Sequence, residues 1–374
     1  MKITYWQRAV LSFALFSCAV DNAFGAMPLP SIDKAKQEAE ARGYVFLDSH
    51  EKIVAAAKKE AKMRALSGLD ADTIKAMVGA FRKKYPFLDV RVEEIEGTDA
   101  YQRFILQMQA GSVRDWDATF IPIDFYKDYQ PFQKKIDLLG MVRSGILKIH
   151  PEMIHPVDRN VIGSSSILQV VAYNRKLLGD AKTPDSWEDF LKPEFKGRKF
   201  VVDVRPLSVA NLVPAWGLEK TLDFARKIAE QKPVWVRGSR TLASMALGEY
   251  SLFMGLNVSS VLEAQAKDLN KSLELQFLEP VPVRFGAADG VFSTAVHPHA
   301  ALLWMEFQVS TEGQEILDKY GPADGSVYVA GSQLHTMIRG RPLSSLTWDL
   351  QKNLDQWVKR IVEAYGFPSA EKGT

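Results

Sequence analysis

Two histidines one residue apart, His297 and His299 in HPHAALLWMEF, have the HxH spacing found in zinc and copper sites. Two ligands do not close a four-coordinate site. After Pro298, residues Ala300, Leu303, Trp304 and Phe307 fall at i, i+3, i+4 and i+7, the spacing of one apolar helix face with proline in its first turn. The pattern points to a helix start, and neither a metal site nor a cofactor is expected. Arg205-Pro206-Leu207-Ser208 is a second candidate. If a strand ends and a helix opens there, an Arg205 fork, the Ser208 hydroxyl and backbone N–H groups suit an anionic group; a capping Ser208 and a solvated Arg205 are the other reading. Asn257-Val258-Ser259-Ser260 follows an apolar run and offers hydrogen bonds to a polar solute, or forms a turn and cap. Ser164, Ser165 and Ser166 follow Gly163, where a hydroxyl could face a cleft, but no GxSxG elbow supports a nucleophile. Arg284 and Asp289, on VRFGAADGVFSTAV, could contact a ligand or pair with each other.

These residues need elements to hold them. MRALS reads as a strand turning at Ser67-Gly68 into a helix capped by Asp70 or Asp72, with Ile74, Met77, Val78 and Phe81 as its stripe. DVRVEEIEG reads as a strand, Thr98 as the cap of a second helix, and DATFIP as a third strand. This rhythm belongs to the doubly wound α/β class, whose ligands bind at the carboxyl ends of strands. Ser67, Gly68, Asp70 and Asp124 lie at or just beyond such ends. Trp116, Phe120, Phe125 and Tyr126 could wall a partly apolar ligand. From Val161 a buried strand begins a second unit, with strands near 199–204, 233–236 and 250–256 between helices.

Of 374 residues, 47% are hydrophobic and 25% charged, an ordinary globular balance with length for two domains. A net charge of +2 argues against a nucleic-acid surface. The opening MKITYWQRAVLSFALFSCAVDNAFG reads as a signal peptide: Lys2 and Arg8, a short apolar core from Ala9 to Val20, and small residues before Ala26. Its only cysteine, Cys18, is removed by that cleavage, although lipidation at Cys18 is a rival. A soluble periplasmic monomer is expected.

Four stretches, in order, resemble one family: VVAYNRKLL, SWEDFLKPEFKGRKFVVD, MALGEYSLFMG and HPHAALLWMEFQVSTEGQEIL. The chain is similar to periplasmic solute-binding proteins of ABC importers, of the type that includes ferric-iron-binding members. The resemblance implies a two-lobed α/β fold, each lobe a mixed or parallel sheet flanked by helices, joined by crossing hinge strands. After the signal peptide at 1–25, it divides the chain into one lobe at 26–165 and 284–334 and another at 166–283 and 335–374. It also implies a small polar or anionic solute in the interlobe cleft and a membrane permease as partner. An exported enzyme or a ligand sensor on the same fold are the alternatives. By this resemblance His297 caps a lobe-packing helix, and Thr311 and Gln314 form a capping box for the next. The tyrosine pair of the iron-binding members falls on Val258 and Ser259, their histidine on Asp70 and their glutamate on Pro122, so the iron chemistry is not expected here.

Overall fold

The structure, a computed structural model, describes residues 31–179, 183–238 and 240–367. The signal peptide read at 1–25, with Cys18 and cleavage before Ala26, lies outside these residues. Among the described residues no helix is long and apolar enough to cross a membrane.

The strands are β1 (Lys62–Ser67), β2 (Asp89–Glu94), β3 (Ala118–Pro122), β4 (Val161–Asn174), β5 (Val201–Asp203), β6 (Val234–Val236), β7 (Leu252–Asn257), β8 (Leu273–Gln276), β9 (Val281–Val291) and β10 (Leu343–Leu346). They join in the order β2-β1-β3-β9-β4-β7-β5-β6, with β10 on β9 and β8 on β4. β1 lies parallel to β2 and β3, as expected where helices connect the strands, and β9 returns antiparallel to β3. β5 lies between parallel partners β6 and β7 in the second unit. The joint is β4: Val161 to Leu168 pair with β9, while Gln169 to Asn174 pair with β7 and β8. This is the two-lobed α/β fold, with β4 and β9 running through the middle.

Each half has its own apolar centre. In one, Phe81 packs edge-on to Trp304 and against Phe307, beneath β1 and β2. In the other, Trp187, Phe190, Phe200 and Trp357 surround Val171 and Val202. The helix Ala71–Lys84 forms as its stripe requires, burying Ile74, Met77 and Phe81. Of the expected aromatic wall, Trp116, Phe125 and Tyr126 instead pack against a cluster around Phe104, Tyr129 and Phe292.

The helix Pro298–Gln308 goes beyond its expected single face, because every residue from Ala300 to Gln308 is buried. Glu306 survives inside because its carboxylate accepts Lys148 N at 2.7 Å and meets His50 Nε2 at 2.8 Å. The two histidines pair with different carboxylates. Asp117 accepts the backbone N–H of Val296 and His297 and meets His297 Nδ1 at 2.9 Å. Glu60 accepts those of His299 and Ala300 and meets His299 Nδ1 at 2.6 Å. Two carboxylates from distant elements thus satisfy the N–H groups of a buried helix start, where the helix dipole also favours negative charge. His297 occupies the cap position, but its side chain does not cap.

Two other expected caps are corrected. Gly97, not Thr98, precedes the helix Thr98–Gln109 and makes no side-chain cap bond. Ser310 rather than Thr311 caps the next helix, accepting from Gly313 N at 3.2 Å; Gln314 Oε1 instead accepts from Ser326 N, so the capping box does not form.

Candidate functional site

Two cavities adjoin where β4 and β9 pass between the halves. The first, about 230 Å³, is lined by Ser67, Gly68, Phe120, Ser164 to Ile167, Ser259, Gly286, Ala287, Asp289, Gln308, Asp324 and neighbouring apolar groups. The second, about 250 Å³, is lined by Asp124, Gln169, Asp203, Arg205, Ser208, Asn257, Ser260, Arg284 and neighbours. Adjacent or alternate residues serve both: Ile167 and Gln169 on β4, Arg284 and Gly286 on β9, Ser259 and Ser260 on the helix Val258–Lys267. A groove of about 530 Å³ between the helices Thr241–Ala246 and Val258–Lys267 shares Ser260 with the second cavity.

In the first cavity, Gly68 has no Cβ because the Phe120 ring stands in its place, 2.4 Å from where that atom would lie. Ser165 sits between two register shifts of β4 against β9, and its Oγ would lie 2.8 Å from a Cβ at Gly286. Ser166 Oγ accepts from Val327 N at 3.2 Å. Asp289 is buried opposite Phe120 in the β3–β9 register. Burial pushes its carboxyl up to about 6, against the opposing pull of Ser164 and Gln308. Asp324 is also pushed up to about 6, by burial and then by the charges of Glu263 and Asp70.

In the second cavity, Arg284 is 7% exposed, and its Nη1 donates to Phe285 O at 3.2 Å. Its Nε has no partner, and among the described residues no carboxylate lies within ion-pair distance. Burial lowers its pKa, and the charge of Asp124 works in the opposite direction. A guanidinium stays protonated nonetheless, so the cavity holds an unpaired positive charge.

Arg205 is differently disposed. It is exposed and bridges to Asp203 at 3.3 Å, while Asp203 also accepts Arg205 N at 2.8 Å and Gly238 N at 2.9 Å. The expected free fork is therefore already occupied, and the helix it was to open, Leu207–Ala210, is four residues long with Pro206 rather than Ser208 at its cap. Gly255 is required beside it: φ is +81°, and a Cβ would meet the Ser208 Cβ and Oγ at 2.3 Å. Asn257 ends β7 and Val258 begins a helix, so NVSS is no loop; Asn257 Oδ1 accepts from Gln169 Nε2 at 2.6 Å, across the two strands.

Of the residues singled out from sequence, Ser67, Gly68, Ser165 and Ser259 line the first cavity, and Asp124, Arg205, Ser208, Asn257 and Arg284 the second. Asp70 lines neither. It caps the helix Ala71–Lys84, accepting Asp72 N and Thr73 N at 3.0 and 3.1 Å and Thr73 Oγ1 at 2.5 Å, bonds that hold its carboxyl below the usual range. The alternative pairing of Arg284 with Asp289 does not occur, since the two line separate cavities. Asp324, Gln308, Gln169 and Asp203 were missed. Asp203 was the readable one, two residues before Arg205 at a strand end.

The profile of the bacterial extracellular solute-binding protein family matches residues 127–353, more than half of the chain. The chain belongs to this family. No curated protein sequence matches it. Among solved structures, it is similar to the iron- and citrate-bound protein of Trichodesmium named IdiA or FutA, at 18% identity and a TM-score of 0.63, covering 82% of this chain and all of that one. The open ferric iron-binding protein A of Mannheimia haemolytica matches at 15% identity and a TM-score of 0.64, covering 82% and 99%. A substrate-binding protein of an ABC transporter from Agrobacterium tumefaciens matches at 15% and 0.58, covering 81% and 94%. The fold is thus that of two-lobed binding proteins. Within this solute-binding protein no tyrosine lines either cavity; Val258 is buried, and Ser259 faces the first cavity. Among the described residues no cluster of three or more His, Cys, Asp or Glu is placed to hold a metal.

Proposed function

We propose that the chain captures a small anionic solute in the cleft crossed by β4 and β9 and delivers it, as an exported periplasmic monomer freed of residues 1–25, to the permease of an ABC importer. The observation that carries this reading is Arg284, a buried guanidinium with a partnerless Nε in a cavity lined from both halves. A ligand carboxylate or phosphonate gives it the charge-assisted bonds that the protein does not. The change of β4 partners near Leu168 and Gln169 supports lobes of 26–165 with 284–334 and of 166–283 with 335–374.

A ligand screen by thermal shift, with small carboxylates, phosphonates and uncharged sugars, tests the reading. Anions raise the melting temperature of the wild type and not of Arg284→Met, while Arg205→Ala, whose partner is Asp203, changes affinity less than Arg284→Met does. Hits confined to uncharged sugars refute the anion anchor.

A further inference from the structure

The second cavity offers a bare cation; the first offers the reverse. Asp289 is 4% exposed, and among the described residues neither it nor Asp324 has a basic partner within ion-pair distance. Gln308, 6% exposed in the same wall, has an amide nitrogen with no hydrogen-bond partner. It faces Asp289 without reaching bonding geometry. The protein therefore leaves the polar groups of this cavity incompletely matched, in surroundings where unmatched charge is costly.

The two cavities keep a fixed spacing. Ile167 and Gln169, and likewise Arg284 and Gly286, are alternate residues on one face of a strand, separated by about 6.5 Å. An extended chain of about four to six carbons spans that distance. We propose that the first cavity is a subsite for a protonated amine, held by Asp289 and Asp324 with the Ser165 hydroxyl, so that the solute is a zwitterion whose anionic end meets Arg284. This inference rests on the reading of Arg284 as the anion anchor. Both carboxyls titrate near 6, so the subsite is charged at neutral pH and fades in acid.

Calorimetric titration of the mature protein at pH 7.5 with δ-aminovalerate, valerate and pentylamine tests it. The amino acid binds roughly ten- to a hundredfold more tightly than valerate, the range for one added charge-assisted contact. Asp289→Asn brings the two within about twofold, and Asp324→Asn repeats the test should the first variant fold poorly. At pH 5 the wild-type preference shrinks. Equal binding of δ-aminovalerate and valerate overturns the amine subsite and leaves the anion anchor standing. Pentylamine binding that is lost in Asp289→Asn, with no binding of valerate, keeps the subsite and overturns the anchor. Absence of binding by all three, and by the homologues one methylene shorter and longer, overturns the zwitterion.

Discussion

Replacing Arg284 with methionine should stabilise the empty protein while abolishing its response to anions. Arg284 has one hydrogen bond, to Phe285 O, and an unpartnered Nε. An unmet buried donor costs about 1–3 kcal/mol, and desolvating the charge several more, offset in part by that one bond and by Asp124. Methionine fills most of the stem volume without a charge, and such replacements of buried ions commonly stabilise by about 1–4 kcal/mol. A gain of about 1–3 kcal/mol is expected, a few degrees in melting temperature for a chain of this size. With ligand at a hundred times its dissociation constant, the wild type gains about 2.7 kcal/mol and the variant nothing. The order of stabilities should therefore invert on adding ligand, as denaturant melts with and without it would reveal. A variant that loses more than about 2 kcal/mol empty, yet keeps the full ligand shift, would make Arg284 a scaffold residue and end the argument.

The other expectations divide between scaffold and cleft. Glu60→Ala, which strips three bonds from the start of the helix Pro298–Gln308, should cost about 2 kcal/mol in chemical denaturation without changing ligand affinity. Gly255→Ala should lower both, since a left-handed φ costs about 1–2 kcal/mol and the new Cβ must displace Ser208 from the second cavity; unchanged binding would mean that Ser208 is not a contact. For Asp289 the folded carboxyl titrates near 6 against 3.8 for a free one, so the folded state favours its neutral form. That contribution is complete below about pH 4 and fades as the pH rises to about 6, a loss of at most about 3 kcal/mol. Asp289→Asn should remove this slope from the stability profile, and an identical slope in both proteins would place the titration elsewhere. Ferric citrate should give no tyrosinate charge-transfer band, because no tyrosine lines either cavity.

What the chain reveals before folding depends on how local the cause is. The stripe of Ile74, Met77 and Phe81 and the cap at Asp70 are set within one helix, and both form as read. Strand ends and crossing strands could be located from pattern, and nine of the ten residues picked there line one of two adjoining cavities, four in the first and five in the second. Their partners were not legible. Whether Arg205 is free depends on Asp203, whether His297 caps depends on Asp117, far along the chain, and whether Glu306 can be buried depends on Lys148 and His50. Asp324 reaches the cleft from a segment with no helix or strand period at all. Long-range pairing decides charge, and periodicity carries no record of it.

The position of the cavities on β4 and β9 also bears on how binding could be signalled. A ligand shifts an equilibrium between open and closed forms only by its difference in affinity for the two. On the proposed reading, one end of the solute meets Arg284 on a crossing strand, with Asn257 and Ser208 from the second unit beside it. The other meets Asp289 and Asp324, with Ser67 and Gly68 at the end of β1 opposite Ser259. Each end therefore draws on both halves, and most of its contacts are lost if the halves part. A solute held by one half alone would bind both forms equally and leave the hinge where it was. Shortening the solute so that it satisfies Arg284 but not the carboxyls should thus reduce the degree of closure as well as the affinity, which small-angle scattering at saturating ligand can separate from weak binding. Full closure by valerate at saturation would show that the anion end alone drives the lobes together.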